Sequence, residues 1–136
     1  MCNDLLVIED ADLHLSILCK IAQQAGFTAT GAHSVAEAAR FVRERTFDCI
    51  TLDLSLGEQS GVEILKLLAE IGCRTPIIII SASDDEARAL TRHVGSLLNL
   101  NLRQPIPKPI NLAALRRTLT CIAEETSKQK LAAPAG

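Results

Sequence analysis

Short apolar runs rich in β-branched residues alternate five times with stretches of helical spacing. Leu5-Leu6-Val7-Ile8 is the first run, closed by Glu9-Asp10. Behind it, Leu15, Leu18, Ile21, Ala22 and Ala25 fall on one helical stripe that stops at Gly26. Residues 27–30 read as a short second strand, and Ser34 with Glu37 forms the capping box of the next helix. A third strand over 48–52 runs into Asp53. After a loop holding Gly57 and Gly61, Val62, Leu65, Leu68 and Ala69 set a helix that Gly72 ends. Pro76 introduces four consecutive isoleucines, 77–80. A run apolar on both faces suits a central parallel strand covered by helices. Past Ser81, a second capping box (Ser83, Glu86) predicts a helix carrying Ala87, Leu90, Val94 and Leu97. Residues 103–107 predict the fifth strand. Asn111 caps the last helix, with Ile110 placed to staple onto Leu115.

Five such units imply an α/β fold: a doubly wound, five-stranded parallel sheet flanked by five helices. The polar and then Ala/Pro/Gly-rich end of the chain divides it into a domain over 1–125 and a flexible tail over 126–136. At 136 residues the chain is one domain, long enough to bury a core without disulfide or metal staples. Formal charge of −2, three Phe and no Trp or Tyr argue against a nucleic-acid binder, which needs a basic face or stacking platforms. No apolar run nears the ~18 residues of a membrane span. Asp4, Glu9 and Asp10 break the early apolar stretch, so no secretory signal is expected. Five widely spaced cysteines without a C-x-x-C pair read as reduced thiols of a cytoplasmic protein.

Sheets of this kind bind their ligands outside the carboxyl ends of the strands. Those ends carry Glu9 and Asp10 (strand 1), Asp53 (strand 3), Ser81 (strand 4) and Lys108 (strand 5). Taken singly, each is an ordinary cap or turn residue, and Asp12 offers the first helix a cap of its own. Taken together they are a reaction centre. Were strand 1 to neighbour strand 3, carboxylates ~5 Å apart would repel by roughly 3 kcal/mol at an effective dielectric of 20. Three of them need a proton or a hard cation, and an all-oxygen cluster suits Mg²⁺. A cation on one side of Asp53 and an ammonium on the other fit phosphoryl transfer onto that carboxylate, with Ser81 donating to the product phosphate.

The segments LLVIED, FDCITLDLSLGEQSGVEIL, PIIIISAS and PKPI, in that order over residues 4 to about 125, resemble the receiver domain of bacterial two-component response regulators. The resemblance implies the flavodoxin-like strand order 2-1-3-4-5. It makes Asp53 the phospho-acceptor, Glu9 and Asp10 the acidic pair, Ser81 the switch hydroxyl and Lys108 the phosphate-contacting lysine before a cis Pro109. The backbone carbonyl of Ser55 joins Glu9, Asp10 and Asp53 as a Mg²⁺ ligand. It also implies a sensor histidine kinase or phosphotransfer protein as donor, a separate downstream protein target, and a phospho-acceptor rather than a turnover enzyme.

The chain departs from the family pattern in two ways. The stretch before Lys108 is Pro105-Ile106-Pro107, where receivers usually carry an aromatic residue. The segment from 95 to 108 also looks long and holds Leu97, Leu98, Leu100 and Leu102, which suggests that its movement replaces the usual hydroxyl–aromatic coupling. Pro105, Pro107 and Pro109 lie two apart, so their missing donors share one edge, while Ile106 and Lys108 keep N–H groups for strand 4. Strand 5 is then a blunted edge, and a homodimer, if one forms, is expected to use helical faces rather than pairing of strand 5 with its copy. Two other readings compete: a receiver-fold interaction module that works without phosphate, and a haloacid-dehalogenase-type phosphatase. The latter needs a second Asp two residues after the nucleophile, where this chain has Ser55.

Overall fold

The computed structural model describes residues 3–56, 59–81, 99–103 and 105–132. Strand β1 (Asn3–Ile8) lies between β2 (Phe27–Ala32) and β3 (Cys49–Asp53); β3 pairs with β6 (Ile77–Ser81), and β6 with β7 (Ile106–Pro107), all in parallel. The order β2-β1-β3-β6-β7 is the expected 2-1-3-4-5 once the small hairpin β4 (Ser55–Leu56) and β5 (Gln59–Ser60) is set aside. Helices α1 (Asp12–Gln24), α2 (Val35–Glu44), α3 (Val62–Glu70) and α4 (Leu112–Ala132) complete the described elements.

Alternation along the strands divides the core in two. Leu6, Ile8, Ile50, Leu52, Ile77 and Ile79 point to one face, where Ala38 of α2 and Ile64, Leu65 and Leu68 of α3 cover them. Leu5, Val7, Cys49, Ile78 and Ile80 point to the other, under Leu15 and Leu18 of α1 and Leu115, Leu119 and Ile122 of α4. Each fully buried Leu or Ile contributes roughly 2 kcal/mol over an exposed one, so the three central strands are the most secure platform the chain offers. The functional edge is built on their ends.

Several expectations are corrected. Five helices were expected, and four occur among the described residues; the helix predicted beyond Ser83, with its capping box, lies outside them. Asp12 is not a cap: it is the first helical residue, and the N-cap is Ala11, whose methyl can accept no hydrogen bond and whose N–H donates to the carboxylate of Glu9 (3.2 Å). β2 runs two residues further than expected, to Ala32. Its small residues are needed there, since a Cβ on Gly31 would meet Leu15 Cδ2 at 3.0 Å. α4 continues to Ala132 instead of giving way to a tail at 126, because Lys, Gln, Leu and Ala are helix formers and the first breaker is Pro134. Its Thr126 is buried.

Other details match the sequence. Ser34 Oγ accepts from Glu37 N (3.1 Å), Asn111 Oδ1 accepts from Ala114 N (3.1 Å), and Ile110 packs on the cluster that contains Leu115. β7 is an edge strand, and the Lys108 N–H turns inward to Ser81 O (3.0 Å) as the proline spacing requires. Of the leucine-rich segment, 97 and 98 lie outside the described residues. Leu100 is buried in the α2–α3 cluster, and Leu102 is 38% exposed and bridges to Ile77. Among the described residues, no helix is long and apolar enough to cross a membrane.

Candidate functional site

Strand pairing brings four of the six predicted site residues into contact range. Asp53 ends β3 with no exposed surface, and Glu9 follows β1 with 1% exposed. Asp10 beside it is exposed. One carboxylate oxygen from each of Glu9, Asp10 and Asp53 lies within 4.8 Å of the others. From the far side of β6, Lys108 Nζ reaches Asp53 Oδ2 at 2.6 Å. Ser81, the last residue of β6, is half-buried, and its carbonyl holds the backbone of Lys108. The Lys108–Pro109 bond is cis. Ser55 lies two residues beyond Asp53, in β4.

The electrostatics are those of a crowded anion site. At these separations two ionised carboxylates repel by roughly 3 kcal/mol at an effective dielectric of 20. Burial and the adjacent Asp53 push the Glu9 carboxyl from 4.5 up to about 8, against the smaller opposing pull of the Ala11 N–H and Lys108. Glu9 Oε1 takes the Ala11 N–H, whereas Oε2 is buried without a donor. Between two ionised carboxylates no donor exists, so Glu9 hydrogen-bonds to Asp53 only when it carries a proton. An orphaned buried oxygen in an all-oxygen cluster of three acids is what a hard divalent cation needs, and Glu9, Asp10 and Asp53 are the side chains that could hold one.

Gly61 is a site residue that sequence reasoning noted only as a loop glycine. Its N–H bonds to Leu54 O (2.8 Å), folding the β4–β5 hairpin back onto the strand end. A Cβ there would lie 2.9 Å from both Asp53 O and Leu54 Cα, inside the distance any side chain tolerates against backbone. The available signal was a glycine immediately before a helix and eight positions after a reactive carboxylate. An apolar groove of about 300 Å³, lined by His14, Ile17, Leu18, Pro109, Ile110 and Leu112, opens directly beside Lys108. Leu13 (70% exposed) and Leu112 (40% exposed) stand at this end of the molecule. His33 is half-exposed between Asp12 (3.0 Å) and Glu37 (3.6 Å). Cys19, Cys49, Cys73 and Cys121 are free thiols.

Comparison with known proteins agrees with this geometry. The family model described as the response regulator receiver domain matches residues 5–120. Among curated relatives, the transcriptional regulatory protein SrrA of Staphylococcus aureus is 27% identical over 129 residues, which are 93% of this chain and 53% of the relative. The chain thus spans about half the length of the curated relatives it matches. Two solved structures share the fold. A response regulator from Colwellia psychrerythraea has a TM-score of 0.74 at 23% identity, covering 92% of this chain and 99% of its own. A CheY-like receiver domain from Methylobacillus flagellatus has a TM-score of 0.71 at 22% identity, with 90% and 99% covered.

Proposed function

The chain belongs to the response regulator receiver family, and from that premise we propose that Asp53 accepts a phosphoryl group from a histidine of a sensor kinase or phosphotransfer protein. Glu9, Asp10, Asp53 and the backbone carbonyl of Ser55 would hold Mg²⁺. The bound ion supplies positive charge to the phosphoryl oxygens. Lys108 supplies the matching charge from the β7 side, 2.6 Å from the Asp53 carboxylate that acts as nucleophile. An Asp53 oxygen bonds to phosphorus as the bond from phosphorus to the donor's imidazole nitrogen breaks. Ser81, at the next strand end, would donate its hydroxyl to the new phosphate. One phosphoryl group is stored per chain, so this is a stoichiometric acceptor rather than a turnover enzyme.

The observation that carries this reading is the Lys108 ammonium on a fully buried Asp53 that two further carboxylates crowd from the opposite side. The apolar groove beside Lys108 suits the donor protein, whose histidine must come within bonding distance of Asp53. Donor and acceptor would meet in the cytoplasm. The output follows from added charge: the phosphate biases a surface that a separate target reads, and moving such an equilibrium from 1:99 to 99:1 takes about 5.5 kcal/mol of differential binding. A phosphate-independent module is the second reading. It is favoured by the absence of an aromatic residue in 105–107.

Acetyl phosphate with Mg²⁺ and intact-mass measurement separates the two. One added phosphate, absent in Asp53→Asn and in the presence of a chelator, is the expected result. An unmodified wild-type chain, or a modified Asp53→Asn chain, would overturn the proposal.

A further inference from the structure

At the opposite end of the sheet, where the strands begin, α2, the start of β3 and the turn after α3 enclose a second cleft of about 480 Å³. Its floor is apolar, from Val42, Phe47, Ile50 and Ile71, and Ile71 is 47% exposed. Three arginines line it: Arg43, Arg45 and Arg74. Among the described residues, no carboxylate does. Arg45 is already engaged, with its guanidinium 4.6 Å from the centre of the Phe47 ring and 3.6 Å from Asp4 Oδ1. Arg43 and Arg74 are exposed, and among the described residues neither guanidinium has a hydrogen bond or ion pair. Three residues separated by up to 31 positions in sequence are thus gathered by the parallel topology around one apolar floor.

We propose that this cleft is a docking site for an acidic linear segment of a partner protein, with carboxylates on Arg43 and Arg74 and an interleaved apolar side chain on the Ile71 floor. Arginines near helix ends often do no more than complement the helix dipole, and Arg43, in the last turn of α2, could be explained so. Arg74 cannot. It lies beyond α3, whose end is already closed by Gly72 (φ 70°), with Cys73 N–H on Leu68 O and Gly72 N–H on Ala69 O. α2 has no such closure, since Arg45 leaves it extended and caps only Phe41 O. The remaining last-turn carbonyls of α2 have no partner within the helix and can accept peptide N–H groups. A site that offers carbonyl acceptors, cations and an apolar floor matches an acidic peptide, which brings N–H donors, carboxylates and side chains. It matches a nucleic acid poorly, because its one aromatic ring, Phe47, is covered by Arg45.

The test is a titration of the full, unphosphorylated chain with the labelled peptide Glu-Leu-Glu-Asp-Leu-Glu, read by amide NMR shifts and fluorescence anisotropy. Because no phosphate is involved, failure here leaves the Asp53 proposal standing. Shifts confined to residues 42–47 and 71–75 are expected, together with weaker binding at high salt. Arg43→Glu/Arg74→Glu should weaken binding by about tenfold or more while leaving the spectrum folded. The milder Arg43→Gln/Arg74→Gln pair should fall between that variant and wild type. Shifts elsewhere, no shifts, or unchanged affinity in the charge-reversed protein would overturn the proposal. Tighter binding of a thymidine hexanucleotide to the same residues would overturn the choice of partner.

Discussion

The two ends of this sheet are made from the same strands and carry opposite chemistry. At the carboxyl end, Glu9, Asp10 and Asp53 bring carboxylate oxygens within 4.8 Å of one another, and the key ion pair, Lys108 with Asp53, is short and largely out of water. At the amino end, arginines predominate around a shallow cleft, and the comparable pair, Arg103 with Glu125 (3.0 Å), joins the segment before β7 to α4 in water. Depth decides what each charge does. Buried charges must be compensated, so they perturb one another and respond to protons, cations and phosphate. Exposed charges are screened, so they contribute little to stability and are left available for recognition.

Removing the buried cation should therefore have the largest effect. Lys108→Ala leaves Asp53 without its ammonium partner. It is expected to cost on the order of 3 kcal/mol in urea unfolding of the metal-free protein, part of it restored by Mg²⁺. Phosphoryl uptake from acetyl phosphate should slow about 100-fold. A stability loss below the range of a surface pair would mean that the two ends do not differ in the way argued. Gly61→Ala tests the same end through the backbone: the added methyl must displace Asp53 O or Leu54 Cα. A loss of about 1–3 kcal/mol is expected, accompanied by weaker Mg²⁺ binding. Loss of stability with unchanged Mg²⁺ affinity would show that Gly61 supports the fold without placing Asp53.

The carboxyl end was the more legible of the two in the sequence. Runs such as Leu5–Ile8 and the four isoleucines of β6 declare buried parallel strands, and in such sheets the residues that end the strands share an edge. Asp53, Glu9, Asp10 and Lys108 follow from that rule plus the strand order that the family resemblance implies. The β4–β5 hairpin did not follow, because Ser55, Leu56, Gln59 and Ser60 pair through backbone and show no apolar period. Gly61 reads in the sequence as a loop glycine, while its reason, a 2.9 Å approach to Asp53 O, exists only in three dimensions. The extent of α4 was missed because the polar composition after 126 resembles a tail. The amino-end arginines carry no local pattern, and only the topology assembles them.

Protons give the next contrast. Folding raises the Glu9 carboxyl from 4.5 to about 8, so between those values the folded protein keeps a proton that the unfolded chain has released. The contribution of Glu9 to stability is therefore complete below about pH 4.5 and is lost as pH rises through about 8. This single group gives a slope of at most about 1.4 kcal/mol per pH unit. Unfolding midpoints in chelator from pH 5 to 9 should decline accordingly. Glu9→Gln should abolish the decline, and Mg²⁺ should flatten it by taking the place of the proton. Stability that rises with pH across this range, or a Gln variant with the same slope, contradicts the assignment.

The smallest effect belongs to the exposed pair, and it is the most discriminating because its sign is open to two opposing terms. Arg103 donates from both terminal nitrogens to Glu125, at 3.5 and 3.0 Å, while its Nε is buried with no acceptor. Arg103→Met removes the pair, worth about 0.2–1 kcal/mol when exposed. It also removes the orphaned donor, whose desolvation costs about 1–3 kcal/mol. The backbone tie of Arg103 N–H to Ile77 O (2.9 Å) survives the change, so β6 and the segment before β7 stay joined. The variant should accordingly be neutral or slightly more stable than wild type. A double-mutant cycle with Glu125→Gln should return a coupling below about 1 kcal/mol that shrinks with added salt. Coupling of several kcal/mol, insensitive to salt, would make this pair the equal of Lys108 and Asp53 and erase the difference between the two ends.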